Sequence, residues 1–175
     1  MLDWQQSMGS KTLMSVDEYL HTTFDGADRE YLDGEVIERN MGNKSHGKIQ
    51  LRLGSWLQAL EQRTGIFAVV EVRQKITPTR YRIPDIAVFE SEPEGEVPST
   101  PPLVAIEILS PEERIVYVIP KLEEYRQWGV RHIWIVDPDD RKMFTYGDSG
   151  LHEVPELRLT EFDVALSLAD IFGPA

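Results

Sequence analysis

Two acidic residues, Asp85 and Glu107, lie in apolar segments of the sequence where a charged side chain is costly to bury. Glu107 is inside the apolar run 103–109, and Asp85 follows Ile83-Pro84 in the segment 82–89. An isolated carboxylate in such a run needs a partner of opposite charge. Carboxylate oxygens are the ligands that hard cations such as Mg²⁺ prefer. The sequence therefore predicts that the two residues lie on neighbouring strands and share a divalent cation.

The length and composition favour one folded domain. A chain of 175 residues with 41% hydrophobic residues can bury a substantial core without covalent staples. We expect a single domain over residues 13–175, preceded by a flexible segment at residues 1–12.

The absence of cysteine excludes a disulfide framework, thiolate metal sites and a cysteine nucleophile. The sequence contains no apolar run long enough to span a bilayer and no signal-peptide pattern at its start. These observations predict a cytoplasmic protein with no membrane partner. No Ser-His-Asp order, phosphate-cradling glycine loop or zinc pattern is present.

The net charge of −12 argues against a simple nucleic-acid-binding domain, because affinity for phosphates comes mainly from Lys and Arg. It conflicts less with a metal-dependent nuclease, since a bound cation neutralises the acidic site. Substrate binding then requires a partner or a local basic face.

Local patterns predict the elements that position the two acids. Ser15 and Glu18 have capping-box spacing, which begins a short helix ending near Thr23. The dipeptide Asp33-Gly34 predicts a hairpin over 29–38 whose glutamates are solvated. Periodicity predicts two core helices, at 46–63 and 120–128, and four core strands, at 66–76, 82–89, 103–109 and 132–136. Ser45 is expected to cap the first of these helices, and Pro120 to lie in the first turn of the second.

The last part of the chain predicts a βαβ unit and a packed tail. The order of strand, helix and strand between Leu103 and Val136 is typical of a parallel crossover. A further strand is expected at 142–146. The tail is expected to cap the core through Leu166, Leu168, Ile171 and Phe172.

Several short motifs occur in an order and spacing that are specific as a set. They are Tyr31-Leu32-Asp33-Gly34-Glu35, Ile83-Pro84-Asp85, Ile106-Glu107-Ile108-Leu109-Ser110-Pro111, Lys121 with Tyr125, and Gly129-Val130-Arg131-His132-Ile133-Trp134-Ile135-Val136-Asp137-Pro138. Over roughly residues 13–172 the chain resembles the Uma family of endonuclease-like proteins, within the restriction-endonuclease-like PD-(D/E)xK superfamily. The resemblance implies an α/β fold of mixed α+β type, with an αβββαβ core and an added N-terminal helix and β-hairpin.

The resemblance also implies roles for individual residues. Asp85 and Glu107 match the two acidic metal positions, and the main-chain carbonyl of Ile108 is a further candidate metal ligand. The alternative is that the two acids are satisfied structural residues. The superfamily pattern has a lysine two residues after the glutamate, but Leu109 stands there in this chain.

Lys121 matches the place from which the family supplies the amine. It is a candidate to orient or help deprotonate the attacking water and to offset transition-state charge. The alternative is an ordinary exposed helix lysine. His46 matches a histidine at the start of the first core helix and is a candidate metal ligand or proton relay, or else a structural hydrogen-bonding group. Gln74 is a candidate to orient a water, and the alternative is a core residue whose amide is hydrogen-bonded within the protein. The spacing of His21, His132 and His152 is not that of metal ligands.

Two functions from different classes remain. The first is an endonuclease that depends on Mg²⁺, or on Mn²⁺ in its place, and hydrolyses phosphodiester bonds in nucleic acid. DNA is expected as its substrate ahead of RNA. The second is a catalytically inactive nuclease fold that acts in protein-protein interaction, which the acidity favours. A homodimer is expected in either case, with Trp128 and Trp134 as exposed interface candidates.

Overall fold

The computed structural model describes residues 13–40, 42–111 and 113–173. The predicted flexible segment 1–12 lies outside these residues. In chain order the elements are α1 (Val16–His21), β1 (Glu30–Leu32), β2 (Glu35–Ile37), α2 (Lys44–Thr64), β3 (Phe67–Val70), β4 (Gln74–Thr77), β5 (Arg80–Arg82), β6 (Ile86–Phe89), β7 (Val104–Ile108), α3 (Ile115–Trp128), β8 (His132–Asp137), β9 (Lys142–Gly147), β10 (Gly150–Val154), β11 (Glu156–Leu159), a 3₁₀ helix (Thr160–Phe162), β12 (Val164–Ser167) and α4 (Leu168–Phe172).

The main sheet has six strands in the order β10-β9-β8-β7-β6-β3. Strand β7 lies in its middle, antiparallel to β6 and parallel to β8. The parallel pair is joined through α3, which confirms the predicted βαβ unit. The mixed sheet, with helices on both sides, confirms the predicted α+β fold with its αβββαβ core.

A second sheet with the order β2-β1-β5-β4 carries the N-terminal hairpin. Asp33 and Gly34 both have positive φ in the turn between β1 and β2, as the Asp-Gly dipeptide predicts. Helix α1 begins with the predicted capping box of Ser15 and Glu18.

The two predicted strands 66–76 and 82–89 are each divided between the sheets, which corrects the prediction. The first is interrupted after β3, where Glu71 has φ of 53°. The second is interrupted between β5 and β6 at Pro84, which has no N–H to donate to a ladder. The break places Asp85 just before β6, at the junction of the two sheets.

Both core helices begin earlier than predicted. The N-cap of α2 is Asn43, whose side-chain oxygen accepts from the His46 N–H at 2.9 Å, and Ser45 is inside the helix. Helix α3 begins at Ile115, so Pro120 is an interior residue and removes the N–H that would bond the Val116 carbonyl. Each helix ends at a glycine in the left-handed region, Gly65 and Gly129.

The alternation of β7 divides its side chains between two cores. Ile106 and Ile108 pack on the side of α2. Ala105 and Leu109 pack on the side of α3 with Leu122 and Tyr125. Glu107 has the same parity as the second set, so its carboxylate is directed towards α3.

Two predictions about exposure were wrong. Trp134 is only 1% exposed because β8 is covered on both faces, so this residue is not an interface candidate. Trp128 is partly buried against the α3 core. In the tail, Leu166, Ile171 and Phe172 are buried, but Leu168 in the first turn of α4 is exposed. Among the described residues, no helix combines the length and hydropathy needed to cross a membrane.

Candidate active site

Glu107 is held by two side chains from α3. Its Oε1 accepts from the Tyr125 hydroxyl at 2.8 Å and lies 2.9 Å from Lys121 Nζ. Its Oε2 accepts from the same ammonium at 3.0 Å. Because Lys121 and Tyr125 are four residues apart, they lie on one face of the helix and reach the acid together. Lys121 is therefore a buried lysine that reaches Glu107 from α3, and it is not an exposed helix lysine.

Asp85 is held by residues from three other segments. Its Oδ2 accepts from the Ile108 N–H at 2.7 Å and lies 3.3 Å from His46 Nε2. Its Oδ1 accepts from Arg39 Nη2 at 2.9 Å. The β6-β7 ladder ends at Ile86 and Ile106, so the main chain of Ile108 is free to meet this carboxylate.

Glu30 is a third buried carboxylate at the site, and the prediction that the hairpin glutamates are solvated was wrong for it. Its Oε1 lies 2.8 Å from Lys121 Nζ, and its Oε2 accepts from Arg82 Nη1 at 2.7 Å. Strand β1 lies between β2 and β5, so it is an interior strand whose first residue is covered. Lys121 is thus shared between Glu30 and Glu107.

Sequence reasoning also missed Arg39 and Arg82. Arg82 stands between Tyr81 and Ile83, and a cation in such an apolar segment indicates a buried acidic partner. That pattern could have led to Glu30 or Glu124, which both bond Arg82. Arg39 follows the hairpin among polar residues, and no sequence pattern distinguishes it.

The charges of the site follow from burial and from these ion pairs. Burial raises the pKa of Glu107 to about 7, against the attraction of Lys121 and with added repulsion from Asp85 and Glu30. Burial of Glu30 opposes ionisation too, but Lys121 and Arg82 outweigh it and lower its pKa to about 2. Burial of Lys121 favours the neutral amine, yet Glu107 and Glu30 outweigh it and raise its pKa to about 12.

His46 and Asp85 stabilise each other's charged forms. The hydrogen bond to Asp85 raises the pKa of His46 against the opposing effect of burial. Burial of Asp85 opposes ionisation, but the hydrogen bond from His46 and the charge of Lys121 outweigh it and lower its pKa. At neutral pH, Asp85 is therefore a carboxylate and Lys121 an ammonium.

One pocket of about 210 Å³ brings the predicted site residues together. The predicted residues in its lining are His46, Asp85, Glu107, Ile108 and Lys121. Glu30, Arg39 and Arg82 line the same pocket. The structure thus assembles all five predicted residues and adds one buried acid and two arginines.

The remaining polar candidates lie elsewhere. Gln74 is fully buried and does not line this pocket, and its amide nitrogen and oxygen have no hydrogen-bond partner among the described residues. Its predicted role in orienting a water stays a prediction. His21, His132 and His152 contact Asp17, Glu161 and Ser149 respectively, away from the pocket.

The donor set of the pocket suits a hard cation better than a transition metal. Within the described part of the chain, no three His, Asp or Glu side chains are grouped to hold a metal ion. The oxygen donors are the carboxylates of Asp85 and Glu107 together with main-chain carbonyls, which is the chemistry of Mg²⁺ sites that retain several waters. Burial raises the pKa of Glu107 because it disfavours the charged carboxylate, and a divalent cation bound beside it would favour that form again.

Comparison with known proteins identifies a family and a similar solved structure. The model of the Uma2 family, described as "Putative restriction endonuclease", matches residues 16–173. The crystal structure of a "putative nuclease belonging to DUF820" from Anabaena variabilis ATCC 29413 is similar with a TM-score of 0.77 at 24% identity, covering 91% of this chain and 97% of that one. No curated protein matches the chain. Because the family model matches most of the chain, the protein belongs to the Uma2 family of restriction-endonuclease-like proteins.

Proposed function

We propose that the protein is a Mg²⁺-dependent endonuclease that hydrolyses phosphodiester bonds in nucleic acid, with DNA as the favoured substrate. The observation that carries the proposal is the meeting of Asp85, Glu107 and Lys121 in one pocket. Carboxylates, a cationic amine and space for a phosphate are the components that metal-assisted phosphodiester hydrolysis requires.

In this proposal the carboxylates of Asp85 and Glu107 hold the cation with the carbonyl of Ile108. The N–H and C=O of one strand residue face the same neighbour, and the Ile108 N–H faces Asp85. When bound, the cation would polarise the phosphate and activate a water. His46 supports this site by bonding Asp85, and its direct ligation of the metal is the less favoured role because it already lies 3.3 Å from Asp85 Oδ2.

Lys121 serves in this proposal as a cation and not as a base. Its pKa of about 12 keeps the amine protonated at neutral pH, so it cannot accept a proton from water. Its three N–H groups bond Ile83 O, Glu107 and Glu30, so it would donate to a phosphate oxygen of the transition state by exchanging one of these acceptors.

One observation favours the second function, a catalytically inactive interaction module. Arg39 and Lys121 already neutralise Asp85 and Glu107 by direct ion pairs. A site that balances its own charges can be stable without a metal. The two functions therefore differ in whether a cation displaces these pairs.

A cleavage assay decides between them. Circular DNA, single-stranded DNA and RNA are incubated with the protein and Mg²⁺ or Mn²⁺, beside Asp85→Asn and the exposed-residue control Asp25→Asn. The nuclease predicts cleavage by the wild type and by Asp25→Asn, inhibition by EDTA, and loss in Asp85→Asn. Equal residual cleavage by wild type and Asp85→Asn would assign the activity to a contaminant and favour the module.

A further inference from the structure

An exposed tyrosine lies at the mouth of the site pocket. Tyr117 in the first turn of α3 is 73% exposed and lines the pocket together with Lys121. It is the only exposed aromatic residue in the described ranges 13–40, 42–111 and 113–173. The exposed ring face is therefore available to a molecule that enters the pocket.

Helical spacing links this ring to the reaction centre. Tyr117 and Lys121 are four residues apart, and Arg114, the N-cap of α3, precedes Tyr117 by three. Residues at these separations share one face of a helix. The stripe of Arg114, Tyr117 and Lys121 therefore leads from solvent to Glu107, whereas Val116, 60% exposed, lies on a different side of the same turn.

The charges along the stripe suit a nucleic-acid strand. Arg114 is exposed and has no ion pair or side-chain hydrogen bond with any other described residue, unlike Arg39, Arg80, Arg82 and Arg126. The nearby acid Glu113 is turned towards the Ser110 N–H, with its Oε2 3.4 Å away. An exposed guanidinium three residues from an exposed aromatic ring matches the alternation of phosphate and base along a strand.

The proposal builds on the nuclease function above and names its substrate class. We propose that Tyr117 stacks on an unpaired base next to the cleaved phosphodiester, while Arg114 contacts a neighbouring phosphate. The substrate is therefore single-stranded nucleic acid, or a strand end or flap with unpaired bases. In a duplex the base faces are covered by their neighbours, so a ring at the pocket mouth has nothing to stack on.

The test follows binding separately from cleavage. A short single-stranded oligonucleotide containing 2-aminopurine, and the same strand in a duplex, are titrated with the full-length protein with Ca²⁺ in place of Mg²⁺. We expect the single strand to bind at least about tenfold more tightly, with quenching of 2-aminopurine by stacking. Tyr117→Ala should weaken binding by about tenfold and remove the quenching, and Tyr117→Trp should retain both.

Two matched controls separate specific contacts from general effects. Val116→Ala removes an exposed apolar group from the same turn and should leave affinity unchanged. Arg114→Gln should weaken binding and reduce the magnitude of the slope of log affinity against log salt concentration by about 0.7 to 1. Arg63→Gln, at an exposed arginine in the last turn of α2, should change neither quantity.

Tighter binding of the duplex by the wild type would overturn the proposal. Unchanged quenching in Tyr117→Ala would do the same, as would a Tyr117→Ala variant whose only change is that it becomes monomeric in sedimentation. The last outcome would assign the ring to a contact between two copies of the chain. Cleavage of duplex DNA at equal rates by wild type and Tyr117→Ala would reject this substrate class and leave the nuclease standing. Single-strand binding with no cleavage in Mg²⁺ or Mn²⁺ would reject the nuclease and retain the binding surface.

Discussion

Lys121 Nζ lies 2.9 Å from Glu107 Oε1 and 2.8 Å from Glu30 Oε1, so one ammonium joins an acid of β7 to an acid of the N-terminal hairpin. Glu107 belongs to the six-stranded sheet and Glu30 to the four-stranded one. Lys121 therefore connects the two sheets, and its substitution should affect both stability and the proposed activity.

Lys121→Met should be strongly destabilising. It leaves Glu107 without a cationic partner and Glu30 with Arg82 alone, and breaking a buried ion pair costs about 3–5 kcal/mol. Urea denaturation measures the loss. Lys44→Met, which removes an exposed lysine at the start of α2, should change the free energy of unfolding by no more than about 0.5 kcal/mol. Similar changes in the free energy of unfolding for the two variants would contradict the assignment of buried ion pairs to Lys121.

Glu107→Gln and Glu30→Gln should change stability in opposite directions at neutral pH in EDTA. The folded-state pKa of Glu107, about 7, is above its ordinary value of 4.5, so the native protein binds more protons and loses stability as pH rises from 4.5 to 7. Glu107→Gln should therefore be more stable than wild type at pH 8, and the gain should shrink towards pH 4.5.

The effect of Glu30 on stability depends on pH in the opposite direction, because its folded-state pKa, about 2, is below the ordinary value of 4.5. Ionised Glu30 stabilises the folded state above pH 4.5, and this stabilisation is lost as pH falls towards 2. Glu30→Gln should therefore be less stable than wild type at pH 7, with a deficit that shrinks in acid. Denaturation series from pH 3 to 8 test both variants, and shifts of the same sign at pH 7 would refute this assignment.

Gln74→Met should stabilise the protein. The amide of Gln74 is fully buried without a described partner, and an unsatisfied buried polar group costs about 1–3 kcal/mol. Methionine has a similar volume and no such penalty. Gln58→Met, at an exposed position in α2, is the control. A loss of stability at Gln74 would mean that the amide has a hydrogen-bonded partner such as a buried water.

Arg39→Ala should tighten magnesium binding. Arg39 Nη2 bonds Asp85 Oδ1 at 2.9 Å, so the guanidinium and the cation compete for the same carboxylate. A charge-assisted bond of about 1.5–3 kcal/mol sets the size of the effect, and we expect at least about tenfold higher Mg²⁺ affinity by calorimetry. Arg63→Ala should leave the affinity unchanged. Weaker binding in Arg39→Ala would show that the arginine supports the metal site.

The sequence by itself identified the candidate site residues. Glu107 in an apolar run demanded a partner, and the order of motifs led to Asp85, Lys121 and His46, all of which line one pocket. Periodicity and turn residues were sufficient for α2, the hairpin and the βαβ unit, because these depend on neighbours close in the chain.

Only the tertiary structure decided which charges meet. Glu30 looked solvated because its burial depends on β1 lying between β2 and β5, a pairing that no local pattern reports. The strands 66–76 and 82–89 look continuous in sequence, but their division between two sheets is what brings Glu30 near Glu107. Arg39 reaches Asp85 across a sequence separation of 46 residues. Such contacts arise from the packing of whole elements, so they become visible only when the fold is known.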